Sequence, residues 1–256
     1  MVSGKFMVTA QALRKHIAEA LGRGADIKEI ERLLLAAGWP RELVEEYVGN
    51  AEERGSGPAL VRMKGVSKSF DNNVVLERVD VEVVPGELFG IIGLSGVGKT
   101  TLLNVLVGFL APDSGDVVLQ LPDKSEVSVF KRKDIVKRMF GFAAQVPSFY
   151  GMLTVRENIE HFGALYNLPP AERITRCDRL LLLVGLNDAE HTLAQNLSGG
   201  MQKRLDIACA LVHEPSVLIL DEPTADLDPL IRTQLWNLIR QINRQGTTVI
   251  VASHVV

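Results

Sequence analysis

The sequence predicts an α/β fold: a mixed or parallel sheet with flanking helices, an antiparallel β subdomain, a helical subdomain and a small N-terminal all-α three-helix module. Three observations predict it. Near-continuous apolar runs, "ELFGIIGL", "SVLILDEP" and "TTVIVASH", read as buried strands separated by helix-like segments. A glycine-rich loop, "GLSGVGKTT", stands between the first of these strands and a helix. Residues 1–58 carry only short helical patterns and close in the linker-like "ERGSGPA".

The elements follow in order. "TAQALRKHIAEALGRG" spaces Leu13, Ile17 and Leu21 by one helical turn, with Thr9 as a cap and Gly22 or Gly24 as a stop. "ADIKEIERLLLAAGWP" takes Asp26 as cap and turns Ile27, Ile30, Leu33, Leu34 and Ala37 inward. "RELVEEYVGNAEERG" supplies a third helix through Leu43, Val44 and Tyr47. From Ala59 the texture changes. "LVRMKGVSKSF" and "VVLERVDVEVV" alternate as half-buried strands around a "DNN" turn. After the glycine loop come a helix over Lys99–Phe109, a "PDSG" turn and the strand "GDVVLQL". A helical block spans Thr154 to Val212, and "PLIRTQLWNLIRQINRQG" forms a helix between the last two buried strands.

Hydrophobic residues make up 46% of the 256, which is enough aliphatic material for a sizeable core in a main domain with a small appendage. The net charge of −3 gives no drive toward nucleic acid or an anionic membrane surface. Cys177 and Cys209 each sit inside an apolar helical pattern and read as buried thiols of a reducing compartment. No run reaches the roughly 18 apolar residues of a membrane span. The first residues, "MVSGKFMVTAQALRKH", lack the apolar centre of a secretory signal, so a cytosolic location is expected.

The glycine loop carries the first functional signal. Gly93 to Thr100 fits G-x-x-x-x-G-K-[ST] between a strand and a helix, the mark of a P-loop NTPase core. Gly93, Gly96 and Gly98, with Leu94, Ser95 and Val97 between them, let successive N–H groups point at phosphate oxygens. Lys99 reaches the β- and γ-phosphates, the Thr100 hydroxyl is placed for Mg²⁺, and Thr101 continues the cradle. "VLILDE" ends in Asp221 and Glu222 at the C-terminal edge of a buried strand, where open α/β sheets bind ligands. Asp221 is the Mg²⁺ carboxylate of this reading, binding the ion directly or through its water. Glu222 is the base that orients or deprotonates the attacking water.

A second anion seat stands at "NLSGGMQKRLDIACAL". Ser198 precedes Gly199 and Gly200, and Leu205, Ala208, Cys209 and Val212 then recur on one helical face. A serine cap at a glycine-started helix leaves N–H donors at the positive end of the macrodipole.

"NLSGGMQKR" followed by "LILDEP" resembles the nucleotide-binding subunit of ATP-binding cassette (ABC) transporters, over about residues 60–256. The wording is most similar to the ATPases of ABC-2-type exporters. The resemblance implies a head-to-tail homodimer around two ATP molecules and Mg²⁺, in which Ser198 and Gly200 of one copy contact the triphosphate held by the other. It also implies that Phe70, with Val75 beside it, is the adenine platform, although tyrosine is more usual there. Gln145 in "FGFAAQ" matches the glutamine that senses Mg²⁺ and water, with Ala144 where the family more often has proline. Asp228 in "ADLDP" matches the interface loop, and His254 in "VASH" the switch histidine. "MLTVRENIEHFGALYNLP" resembles the start of the helical subdomain, which in transporters receives the coupling helices of a membrane permease.

The domain expectation is therefore 1–58 for the helical module with its linker and 59–256 for the ATPase domain. The module resembles ubiquitin-associated-like bundles and is open to a protein partner. The family continues beyond the histidine, so a truncated or fragmentary chain with exposed apolar surface and a mobile histidine loop is expected. Two rival functions stand beside the transporter motor: a soluble ABC ATPase acting in translation or on DNA, and an ATPase that is also an adaptor through residues 1–58. Against the first, the sequence shows neither the tandem cassette nor the coiled-coil insertion that such proteins carry. No nucleic acid partner is expected, and the predicted place of action is the cytoplasmic face of the cell membrane.

Overall fold

The computed structural model describes residues 7–9, 27–36, 41, 44, 60–71, 73–121 and 123–254. The chain divides into two compact units, Met1–Val136 with Ile250–Val256, and Lys137–Val249.

The first unit begins with β1 (Met7–Thr9) and α1 (Ile27–Ala36). Ile30 and Leu34 of α1 are buried, one turn apart on one face, as the apolar spacing requires. Leu33 corrects the expected inward set: it is 59% exposed, because it lies to one side of the stripe that Ile30 and Leu34 define. Val44 is helical and buried. The first predicted helix, Ile27 as a side chain, Ala37, Leu43 and Tyr47 lie outside the described residues.

β2 (Val61–Phe70), β3 (Asn73–Val83), β5 (Ser114–Gln120) and β6 (Glu126–Ser128) form an antiparallel sheet in the order β3-β2-β5-β6. This is the expected antiparallel β subdomain. Its alternation buries Val61, Met63, Val81, Val83, Val117 and Leu119 on one face. β4 (Leu88–Gly93) is buried along its whole length and leads into α2 (Lys99–Leu106). Fully burying side chains such as Leu88, Phe89 and Ile91 stabilises by about 1.5–3 kcal/mol each. On one side β4 pairs antiparallel with β1, in the register Met7↔Gly93 to Thr9↔Ile91. On the other lies β9 (Thr248–Ser253), whose buried run leads to His254.

The second unit contains β7 (Phe140–Ala143) and β8 (Val217–Asp221), paired in parallel from Phe140↔Val217 to Ala143↔Leu220. The short α3 (Lys133–Met139) precedes β7. β8 is buried throughout and β7 at all but Phe142, and the unit's helices are α4 (Val155–Leu165), α5 (Pro170–Val184), α6 (Gly199–Leu211) and α7 (Pro229–Arg244). α4 starts at a capping box: Thr154 Oγ1 accepts the Glu157 N–H while Glu157 Oε2 accepts the Thr154 N–H. α7 starts at Pro229, where a missing N–H costs nothing. Cys177 and Cys209 are both buried and unbridged, as the sequence predicts. Burial pushes the Cys177 thiol up to about 12 and the Cys209 thiol well above its usual range, so both act as packing groups rather than nucleophiles.

Among the described residues no helix is long and apolar enough to cross a membrane.

Candidate functional site

The glycine loop expected to cradle phosphate belongs to the first unit. β4 ends at Gly93, and Leu94, Ser95 and Gly96 are exposed, while Val97 is buried and anchors the loop. Gly98 has φ 107°, a left-handed conformation, and closes the loop as the residue before α2. The Lys99 side chain is buried; its ammonium donates to the Gly93 carbonyl at 2.8 Å and the Leu94 carbonyl at 3.2 Å. The cation is thus held against the carbonyls that open the glycine loop. Thr100 is exposed and Thr101 half-buried on the first turn of α2. Val75 of β3 packs on Gly98. Phe70 ends β2 as a residue 46% exposed, with the Lys68 ammonium 5.7 Å from its ring centroid. An exposed ring is available as a stacking platform. His254, after β9, is half-buried.

The second unit holds the other predicted residues. Gln145 follows β7 and is exposed. Asp221 ends β8 and is buried together with Glu222. Glu222 has φ 50°, a left-handed conformation that costs a non-glycine residue about 1–3 kcal/mol. Nothing in the sequence signals this conformation.

α6 begins at Ser198, whose hydroxyl accepts the Met201 N–H at 3.4 Å. The N–H groups of Gly199 and Gly200 lie in the first turn, where no intrahelical acceptor exists. Ser198 and Gly199 are exposed; Gly200 is buried against Ile231 of α7. Asp228 caps α7, accepting the N–H groups of Leu230 and Ile231, both at 3.0 Å. The start of α6 therefore sits on the start of α7, which brings Ser198, Gly199 and Gly200 beside the loop that carries Asp228.

Three residues were missed by the sequence reading. Asp206, on α6, is buried and accepts the Ser148 N–H at 2.9 Å; burial pushes its carboxyl up to about 6. Lys203 donates to the Gln145 carbonyl at 2.9 Å. Asn158, fully buried on α4, accepts the Tyr150 N–H and donates to the carbonyls of Tyr150, Leu153 and Thr154. The available signal was a carboxylate, Asp206, set beside Leu205 in an otherwise apolar helical face.

These features coincide with a known family. The ABC transporter family model matches residues 76–225. A macrolide export ATP-binding/permease protein, MacB, of Azoarcus sp. is 35% identical over 217 residues, covering 82% of this chain and 33% of that protein. A Nod factor export ATP-binding protein I of Cupriavidus metallidurans is 33% identical over 196 residues, covering 77% of this chain and 63% of that one. The chain thus spans a third of one curated relative and under two thirds of the other. Among solved structures, cbiO1 of Clostridium perfringens, part of the cbiONQ transporter complex, superposes with a TM-score of 0.69 at 28% identity, covering 77% of this chain and 79% of that one. The ATP-binding cassette MJ0796, solved as a post-hydrolysis dimer bound to ADP and phosphate, gives 0.65 at 28% identity, covering 75% of this chain and 87% of that one. The chain belongs to the ABC transporter family and carries its ATPase domain.

Proposed function

We propose that this chain is the ATP-hydrolysing motor of an ABC exporter, dimerising head-to-tail around two Mg·ATP and driving a separate membrane permease from the cytoplasmic face. One observation supports the reading: the chain has two glycine-bearing helix starts of the kind that seat an anion, the Gly93–Gly98 loop before α2 and the exposed Ser198–Gly199 start of α6. A single nucleotide needs only one such cradle. The second serves a neighbouring copy, as the dimeric state of the solved relative MJ0796 supports.

In this reading Lys99 and the loop N–H groups neutralise the β- and γ-phosphates, and Phe70 with Val75 receives the adenine. Glu222 holds the attacking water and takes its proton, His254 hydrogen-bonds the γ-phosphate, and Gln145 orients the water. Thr100, Gln145 and Asp221 offer a hydroxyl, an amide carbonyl and a carboxylate. Oxygen donors of these kinds suit a hard cation such as Mg²⁺, whose charge would offset that of the phosphates. Asp228 works twice, capping α7 and standing at the dimer face.

The loop between β7 and α4 supports the permease partner. Val146, Tyr150 and Met152 are exposed on it, an apolar group of the kind a docking helix covers. Export is the stated work of the relatives MacB and the Nod factor protein, and it comes to this chain as part of the proposal. The division after residue 58 is part of it too, with β1 tethering the N-terminal module to β4.

ATP turnover and nucleotide affinity of Glu222→Gln, measured side by side, test the reading. Retained affinity with hydrolysis down by orders of magnitude supports it. Wild-type turnover removes Glu222 as the base. Isolation of the tagged protein with a multi-span permease, rather than with ribosomes, supports the transporter assignment.

A further inference from the structure

Gln145 stands on an exposed loop, yet its role requires placing an amide to within a fraction of an ångström. Hydrogen bonds from α6 hold its backbone and that of Ser148. Lys203 and Asp206 lie three residues apart on α6 and so share a face. Lys203 Nζ donates to the Gln145 carbonyl at 2.9 Å, and Asp206 Oδ1 accepts the Ser148 N–H at 2.9 Å. Both bonds are made to backbone, so the Gln145 amide is not consumed by them. Further along, Asn158 secures Tyr150 through both its N–H and its carbonyl.

The arrangement is costly in a way that packing alone does not repay. Asp206 is 2% exposed, and its second carboxylate oxygen has no hydrogen-bond partner among the described residues. Burying a carboxylate with half its acceptors unmet is expensive, and alanine at this buried position of α6 carries no such cost.

We infer that Asp206, with Lys203, is a positioning residue for Gln145: α6, which starts at Ser198, holds the main chain of the Gln145 loop in the register that hydrolysis needs. This rests on the role proposed above for Gln145.

The test is steady-state ATP hydrolysis by the full-length protein. Asp206→Ala is expected to lower kcat roughly tenfold with KM for ATP changed less than about twofold, since the loop is displaced and the phosphate cradle is not. Asp206→Asn is expected to recover most of that loss, because its amide oxygen still accepts the Ser148 N–H. In a Gln145→Ala background, Asp206→Ala is expected to add nothing. Lys203→Ala, a change at a partly exposed lysine, is expected to give a smaller loss of the same kind and serves if Asp206→Ala does not fold. Multiplicative losses in the double variant overturn the inference while leaving Gln145 in its role, and so does an Asp206→Asn as impaired as the alanine. Wild-type kcat in Gln145→Ala overturns both the role of Gln145 and the inference built on it.

Discussion

Gly98 and Val75 are in direct contact, so close that a Cβ built on Gly98 would lie 2.8 Å from Val75 Cγ1. The glycine loop is thereby seated on β3 at Val75, the residue predicted to flank the adenine. Gly98→Ala meets two obstacles, this clash and a φ of 107°. It is expected to destabilise by about 1–3 kcal/mol and to weaken ATP binding. Adding Val75→Ala makes room for the methyl without relieving the backbone, so the pair should recover only part of the thermal midpoint. Full recovery would mean that φ carries no cost there.

The two glycines after Ser198 should respond differently. A Cβ on Gly200 would come within 2.5 Å of Ile231 Cγ2, and a β-branched side chain yields poorly. A Cβ on Gly199 would meet only Leu227 Cδ2, at an ordinary 3.9 Å. Gly200→Ala is expected to lower stability by about 1–3 kcal/mol by prising α6 from α7, whereas Gly199→Ala leaves the thermal midpoint close to wild type. Denaturant titration of both variants measures the difference.

Lys99 and Glu222 should separate binding from chemistry. Lys99→Ala removes the ammonium held at Gly93 and is expected to abolish tight nucleotide binding, read by titration calorimetry. Glu222→Gln keeps size and hydrogen bonding, and is expected to lower kcat by about 10²–10⁴ with nucleotide affinity retained. A Glu222→Gly variant should retain the fold, because glycine accepts the φ of 50° without strain, and yet remain inactive.

His213 predicts an acid limit. Its ring stacks on Tyr166 with centroids 3.7 Å apart, and Nε2 lies 3.1 Å from the Phe140 carbonyl. Burial holds the imidazole down at about 4, below the roughly 6.5 of an unfolded histidine. The unfolded chain therefore binds the extra proton between those values. Stability from this residue is complete above about pH 6.5 and falls as pH drops toward 4. His213→Phe keeps a stacked ring and removes the titration. Its thermal midpoint should fall less steeply than wild type across that window.

Much of the fold was legible because its strands are simple. "LFGIIG" and "VLILD" are apolar almost throughout, and glycines or carboxylates mark their ends. The phosphate loop and the Ser198 helix start were legible for a related reason: their chemistry is local, spelled by adjacent residues. What escaped depends on partners far apart in the chain. β1 was invisible because three residues, Met7–Thr9, become a strand only through β4. β6, α3 and β7 are short, and their patterns are too brief to show a period. Asp206 contacts Ser148 across 58 positions, and the φ of Glu222 is set by what surrounds it, so neither is written in its neighbours. Leu33 fitted the apolar pattern but fell at its margin.

Sedimentation of the full-length Glu222→Gln protein with saturating Mg·ATP tests the account most directly. The expected result is a nucleotide-dependent dimer that disperses when ATP is withdrawn and that Ser198→Arg prevents. A protein that binds ATP stoichiometrically and yet sediments as a monomer at every concentration would contradict it.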